Sequence, residues 1–301
     1  MSNASASNKV TTAIIPVAGL GTRVLPASKA IPKEMMPVAD KPVIQYVVEE
    51  AVAAGITEII LVTRWGKEAI ENHFDTNFEL ENQLDRKGKK SILESVRNIV
   101  PDSVNITSVR QPSARGLGHA VLCAQNSVGG SAFAVLLPDV LLLDNPRFGN
   151  DLARMVSNFE NSGASQILVE AVPEDQVEAY GVVDCSGKSV ETGETAKITG
   201  MVEKPPRDHA PSNLAVVGRY ILPAEVMDIL KSTPPGAGDE IQLTDAIVTL
   251  LGRSNVEAYV MSAESHDCGN KLGYLEANIA AGLRHSEVGD SLREYLKTLK
   301  L

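Results

Sequence analysis

Short apolar runs alternate with longer amphipathic stretches through the first half of the chain. TTAIIPVA, from Thr11, and TEIILVT, from Thr57, are dense in β-branched residues and read as strands. PVIQYVVEEAVAAG between them repeats its apolar positions at helical spacing and stops at Gly55, so the three make a βαβ unit. The stretch 67–100 reads as helices around an exposed charged turn, VNITSVRQ as a strand, GLGHAVLCAQNSV as one helix and AFAVLLPD as another buried strand. Repeated strand-then-helix order predicts a parallel sheet with helices on both faces and right-handed crossovers.

After Asn150 the alternation loosens. ARMVSNFENSG is helical, SQILVEAV, YGVVDCSG, KITGMVEKP and NLAVVGRYIL are strand-like, and the Gly/Thr-rich KSVETGETAK reads as a hairpin. PPGAGDEIQLTDAIVTLL is a loop feeding a helix, VEAYVM a short strand, and the chain from Lys271 two helices. The fold class expected is α/β: a Rossmann-like, mostly parallel (mixed) sheet flanked by helices, with a smaller α+β part and C-terminal helices. Residues 1–9 read as a disordered leader, 10–150 as the α/β part, 151–270 as a second part of the same sheet, and 271–301 as helices open to an oligomer contact.

Composition narrows the class. Of the 301 residues 44% are hydrophobic but only 4% aromatic, so the core rests on Val, Ile, Leu and Ala, which suits buried parallel strands. A net charge of −10, with no basic run longer than RKGKK near Arg86, argues against nucleic acid as a partner. Cys123, Cys185 and Cys268 are far apart and fit neither a disulfide framework nor a zinc site, which favours a reducing, cytoplasmic setting. The longest apolar stretch, AFAVLLPDVLLL, is too short for a bilayer and broken by Pro138 and Asp139, so no membrane span is expected. MSNASASNK has no apolar core of a secretory signal.

Ligands of open parallel sheets sit beyond the C-terminal strand ends, where the glycine turn, Gln111, Asp139 and Glu203-Lys204 fall. Gly19 and Gly21 follow the first strand, but a dinucleotide fingerprint needs glycine where Val24 stands. GLGTRVLPASK also lacks the Gly-Lys-Ser/Thr ending of a Walker loop. What remains is a turn whose backbone N–H groups can approach a ligand closely, followed by Arg23; the bland alternative is a tight turn with a surface arginine. Pro26, Pro32 and Pro37 block a regular helix and favour a loop that folds back over the turn, setting Lys33 beside Arg23 against one polyphosphate. An isolated Lys33-Glu34 would otherwise be a surface ion pair.

AGLGTR, PKEMMPVADKPVIQYVVEEAVAAGI, RQPSARGLGHAV, LLPDVLL, YGVVD, VEKP, SNLAVVGRY, PPGAGDEIQLTDAI and SHDCGNKLGY together resemble the bacterial UTP–glucose-1-phosphate uridylyltransferases of the sugar nucleotidyltransferase family. The likeness runs from about Val10 into the C-terminal helices. It implies transfer of uridylyl from UTP to α-D-glucose 1-phosphate with Mg²⁺ as cofactor, by in-line displacement at the α-phosphorus. It assigns Asp139 and Asp267 to the metal, and Arg23, Lys33, Asp139 and Lys204 to catalysis. The base falls to Gln111 with the backbone of Ala18, Gly19, Gly21 and Gly116; the sugar phosphate falls to Glu203 and Lys204, with Gly181 and Val216 lining its pocket. A homo-oligomer, dimer or tetramer, is implied as well. His119 reads as a helix residue, Trp65 as surface or interface packing, and Asp239, Glu240, Gln242 and Asp245 as residues that order a loop, cap a helix or meet a subunit.

Two other readings compete. Thymidylyl or another nucleotidyl transfer to a hexose 1-phosphate uses the same chemistry, because uracil and thymine share the edge that Gln111 would meet. A non-catalytic sugar-nucleotide sensor would keep the pocket but lose the charged set, and Arg23, Lys33, Asp139, Lys204 and Asp267 are all present.

Overall fold

A strand whose residues are buried on both faces must be covered on both sides, and the first strand lies inside such a layer. The computed structural model describes residues 9–300; the expected leader lies outside the described residues as far as Asn8. In chain order the strands are β1 (Thr12–Pro16), β2 (Pro37–Val38), β3 (Lys41–Pro42), β4 (Glu58–Thr63), β5 (Asn105–Arg110), β6 (Phe133–Leu136) and β7 (Val140–Leu143). They continue with β8 (Ser165–Ala171), β9 (Gly181–Asp184), β10 (Thr195–Lys197), β11 (Gly200–Glu203), β12 (Leu214–Leu222), β13 (Val256–Val260) and β14 (Glu264–Asp267). The main sheet runs β10-β13-β8-β12-β6-β1-β4-β5, with β9 and β11 attached beside β12.

β1 is parallel to β4 and β6, β4 to β5, and β8 to β13, whereas β12 is antiparallel to both β6 and β8. The sheet is therefore mixed and mostly parallel, as the sequence predicts. Successive residues of β1 enter opposite cores, Ile14 on one face and Ala13 and Ile15 on the other, all fully buried. Each such Ile removed from water contributes roughly 1.5–3 kcal/mol.

The helices are α1 (Val43–Ala53), α2 (Glu68–Phe74), α3 (Phe78–Arg86), α4 (Lys90–Arg97), α5 (Leu117–Cys123), α6 (Gln125–Val128), α7 (Asp151–Ser162), α8 (Glu225–Ser232), α9 (Leu243–Leu251), α10 (Lys271–Arg284) and α11 (Gly289–Thr298). α5, α8 and α9 cover one face through Val121, Leu230 and Ile247; α1 and α7 cover the other through Ile44, Val48 and Met155.

Two expectations are corrected. The helix GLGHAVLCAQNSV is divided at Ala124, where N–H bonds from Ala124 to Val121 O and from Ser127 to Ala124 O tighten the turn. KSVETGETAK does not fold on itself: only Thr195–Lys197 is a strand, and it pairs antiparallel with β13. Gly193, at φ +83°, donates to Val260 O and so commits this segment to β13.

β12 carries a register shift between Val216 and Tyr220. Gly218 lies inside it at φ +84°, and a Cβ there would sit 2.6 Å from Leu137 Cδ1. Gly218→Ala should cost at least about 2 kcal/mol, through left-handed backbone strain and overpacking together. Urea unfolding checks this as a lowered midpoint at unchanged slope.

Candidate active site

A cavity of about 590 Å³ opens at the strand ends between the two parts of the sheet. Arg23, Asp139, Gly181, Glu203, Val216 and Asp267 line it, six residues named from sequence alone.

Asp139 stands in the short link between β6, in the main sheet, and β7, which leaves that sheet to pair antiparallel with β14. In that ladder Val140 faces Asp267, and Cys268 N–H donates to Asp139 O at 2.8 Å. The two carboxylates are thereby side by side, although 128 positions separate them in sequence (267 − 139). Gly269 marks their meeting point: a Cβ there would lie 2.6 Å from Asp139 Oδ2, 2.8 Å from Asp267 Oδ1 and 2.6 Å from Arg23 Nη2.

Arg23 bridges the pair, donating through Nη1 to Asp267 Oδ2 at 2.9 Å and through Nη2 to Asp139 Oδ2 at 3.4 Å. Lys33 Nζ donates to the same Asp139 oxygen at 2.5 Å. Burial opposes ionisation of Asp139, but Lys33 and then Arg23 outweigh it and hold the carboxyl below the usual carboxylate range. The proline-rich segment does fold back over the glycine turn: a Cβ on Gly21, at φ +67°, would touch Lys33 Cβ at 3.1 Å and Ser28 Cβ at 3.2 Å. Ser28 Oγ donates to Gly21 O at 2.7 Å and closes the loop.

Glu34 corrects the surface-pair alternative. Its side chain turns inward and pairs with Lys67 Nζ at 2.7 Å, while its second oxygen, Oε1, is buried without a partner among the described residues. Burial raises the Glu34 pKa, with Lys67 opposing.

Ala18 and Gln111 lie just past the ends of β1 and β5, on either side of β4: Val17 N–H donates to Val62 O and Gln111 N–H to Thr63 O. Gln111 is buried, and its amide nitrogen donates to Gly116 O at 3.1 Å and to His119 Nδ1 at 3.1 Å. Gly116 has φ +90°, and a Cβ would strike Glu240 Cβ at 2.7 Å. Ile241 N–H donates to Arg115 O and Gly118 N–H to Ile241 O. Thus the GAGDEIQ loop orders the loop that carries Gly116. Gly19 lies 3.7 Å, measured from an ideal Cβ, from Lys33 Cε. Ala18, Gly19, Gly21, Lys33, Gln111, Gly116 and Lys204 are outside the lining of the main cavity.

Glu203 ends β11 opposite Gly181 of β9. Thr244 Oγ donates to Glu203 Oε2 at 2.8 Å, and a Cβ on Gly181 would come within 3.2 Å of that oxygen. Lys204 adopts φ +46°, unusual for a side-chain-bearing residue, and its N–H donates to Tyr180 O at 2.9 Å. Thr244, Tyr180, Glu170 and Ser265 also line the cavity and escaped the sequence reading. Ser265 Oγ donates to Glu170 Oε2 at 2.8 Å. Thr244, Tyr180 and Ser265 stood inside stretches already singled out, PPGAGDEIQLTDAI, YGVVD and SHDCGNKLGY; Glu170 carried no local signal. Trp65 is 79% exposed.

Arg219 was missed altogether. It is fully buried in β12, pairs with Glu50 of α1 through Nε at 2.8 Å and Nη2 at 2.7 Å, and donates to Leu137 O at 3.1 Å and Val140 O at 2.7 Å. Those two carbonyls flank Pro138-Asp139. The signal was available: one arginine in the otherwise apolar run NLAVVGRYIL.

A cavity edged by Arg23 and two carboxylates, with Lys33 paired to one of them and a glycine turn close by, has the charges that phosphoryl-group chemistry uses. Residues 12–282 match the nucleotidyl transferase family, and the chain belongs to it. Among curated relatives, the UTP–glucose-1-phosphate uridylyltransferase of Haemophilus influenzae is 55% identical over 289 residues, covering 95% of this chain and 98% of that protein. The Escherichia coli K12 enzyme of that name is 55% identical over 296 residues, 98% of this chain and 97% of its own. A solved UTP-bound UGPase from Acinetobacter baumannii is 54% identical with a TM-score of 0.92, covering 97% of this chain and 100% of that one. A UDP-glucose pyrophosphorylase complexed with UDP-glucose is 40% identical with a TM-score of 0.82, covering 92% and 100%. Within the family, the chain belongs with the bacterial UTP–glucose-1-phosphate uridylyltransferases.

Arg219→Leu should destabilise the protein by about 3–5 kcal/mol, because Glu50 is left buried and unpaired. The double variant with Glu50→Leu should recover part of that loss; equilibrium urea unfolding measures both. A carboxyl depressed in the folded state, as Asp139 is, contributes stability present above its unfolded pKa of about 3.9 and lost as pH falls through the folded value. In Lys33→Met the folded pKa rises, so acid unfolding should begin at higher pH than in the wild type, read from unfolding midpoints across a pH series.

Proposed function

We propose that this protein transfers the uridylyl group of UTP to α-D-glucose 1-phosphate, forming UDP-glucose and pyrophosphate. The observation that carries the reading is that Asp139, Asp267 and Arg23 line one cavity together with Glu203, Gly181 and Val216, while Lys33 is paired with Asp139 beside it. UTP and UDP-glucose accompany two of the homologous structures, which supports the same pair of ligands here.

An ionised oxygen of the sugar phosphate attacks the α-phosphorus. The bond from that phosphorus to the oxygen bridging it to the β-phosphate breaks in line, and pyrophosphate leaves. The nucleophile is already deprotonated near neutral pH, so no side chain has to take a proton. What the protein supplies is position and charge. A guanidinium has five N–H donors and an ammonium three, so Arg23 and Lys33 keep donors for phosphate oxygens while remaining paired with the aspartates. The backbone of Ala18, Gly19, Gly21 and Gly116, with Gln111, would hold the base. Glu203 would accept from vicinal sugar hydroxyls, its geometry held by Thr244, and Lys204 would meet the 1-phosphate.

Two carboxylates directed at one point, with no group of three His, Cys, Asp or Glu placed to hold a metal among the described residues, fit Mg²⁺, a hard cation that takes its other ligands from phosphate and water. Asp139 and Asp267 would hold it, and when bound it would neutralise charge on the phosphate oxygens. Self-association belongs to the same reading: Leu272, Leu275 and Ile279 leave an exposed apolar stripe on α10 that a second copy would cover.

Among the described residues no helix is long and apolar enough to cross a membrane. Pyrophosphate release with a matrix of nucleotides and hexose 1-phosphates tests the assignment: UTP with glucose 1-phosphate should give the highest kcat/KM. Asp139→Ala should lower that value by at least about a thousandfold, equivalent to roughly 4 kcal/mol of transition-state stabilisation, with the fold retained by circular dichroism. A preference for another base would overturn the substrate assignment.

A further inference from the structure

The polarity of the hydrogen bonds around Gln111 is dictated by chemistry. A carbonyl can only accept, so the Gln111 atom 3.1 Å from Gly116 O is the amide nitrogen. The same nitrogen lies 3.1 Å from His119 Nδ1, and since an amide nitrogen only donates, Nδ1 is the unprotonated nitrogen of the ring. The ring proton then resides on Nε2, which faces Cys123 Sγ at 3.9 Å. Burial, reinforced by Arg115, lowers the His119 pKa, which keeps the ring neutral near pH 7. Burial raises the Cys123 pKa, so the sulfur stays a thiol and a weak acceptor.

Both amide hydrogens of Gln111 are thus spent inside the protein. The amide oxygen makes no hydrogen bond among the described residues, and it is not sealed off from solvent. An edge that offers only an acceptor matches the N3–H donor of uracil or thymine. It opposes cytosine, whose N3 is itself an acceptor.

We propose that His119 is a specificity-determining residue: by accepting the second amide hydrogen of Gln111 it presents that side chain to the base as an acceptor only, admitting pyrimidines with N3–H and rejecting cytosine. The inference rests on the reading that Gln111 meets the base. Without the imidazole acceptor, one amide hydrogen has no partner, and the side chain gains freedom to turn a donor toward cytosine N3. His119 acts through Gln111 and is a positioning residue.

The test compares kcat/KM for UTP, CTP and dTTP in the wild type, His119→Leu, His119→Asn and Gln111→Leu. His119→Leu should lower the UTP/CTP ratio about tenfold, the scale of one net hydrogen bond, and leave the UTP/dTTP ratio unchanged, because those bases share N3–H and O4. His119→Asn, which restores an acceptor, should recover most of the discrimination. Ratios taken on one preparation cancel any loss of folded enzyme. If Gln111→Leu collapses the UTP/CTP ratio while His119→Leu leaves it at the wild-type value, the role of His119 is overturned and the base-reading role of Gln111 stands. If Gln111→Leu also leaves the ratio intact, the base-reading role fails and takes the inference with it. The ¹⁵N shifts of the wild-type ring give an answer independent of any variant's folding: a proton on Nε2 is expected, and one on Nδ1 overturns the proposal.

Discussion

The pairing of Arg219 with Glu50 is the interaction on which the arrangement of the site depends. Taking both charges out of water is costly, and the pair persists because its geometry repays the cost: two parallel N–H···O bonds to the carboxylate, with the remaining donors on Leu137, Val140 and Gly218 carbonyls. One side chain thereby ties α1 to β12 and to the link between β6 and β7. Asp139 lies within that link, held from both sides by main chain. The bulge at Gly218 gives Leu137 the space this requires. A lysine in place of Arg219 could offer a point charge but not a fork reaching several acceptors at once.

From this fixed point the charges alternate. Asp139 meets Lys33 and Arg23, and Arg23 meets Asp267. Next to Lys33 in sequence, Glu34 points the other way and meets Lys67. Adjacent residues of one short loop therefore serve different purposes: Lys33 faces the cavity side, while Glu34 fastens the loop to the segment after β4. A site assembled from such pairs has its donors oriented before a ligand arrives, so little reorganisation is left for the reacting state.

How much of this was legible in the sequence follows from the range of each interaction. β1, α1 and β4 could be read because their periodicity is local, and the glycine turn because backbone conformation limits what can stand there. Asp139 and Asp267 were named through resemblance; the β7–β14 ladder that joins them leaves no mark on either strand alone. The hairpin reading of KSVETGETAK failed because β13, some sixty residues on, competes better for Thr195–Lys197 than the near neighbour does. Arg219 was visible as an oddity but not interpretable, since its partner lies 169 positions away. Glu170 and Ser265 become neighbours only when segments 95 positions apart come together.

The β7–β14 ladder also bears on how the protein is made. The link that carries Asp139 is fixed once β12 has joined β6, but its companion is supplied by a strand still nearer the end of the chain, and Cys268 must bond back to Asp139 to seat it. During synthesis the growing polypeptide can therefore build its β1-β4-β5 layer early and still lack the paired carboxylates. They come together only when almost the whole protein has left the ribosome, so a chain that ends before Cys268 lacks the paired carboxylates.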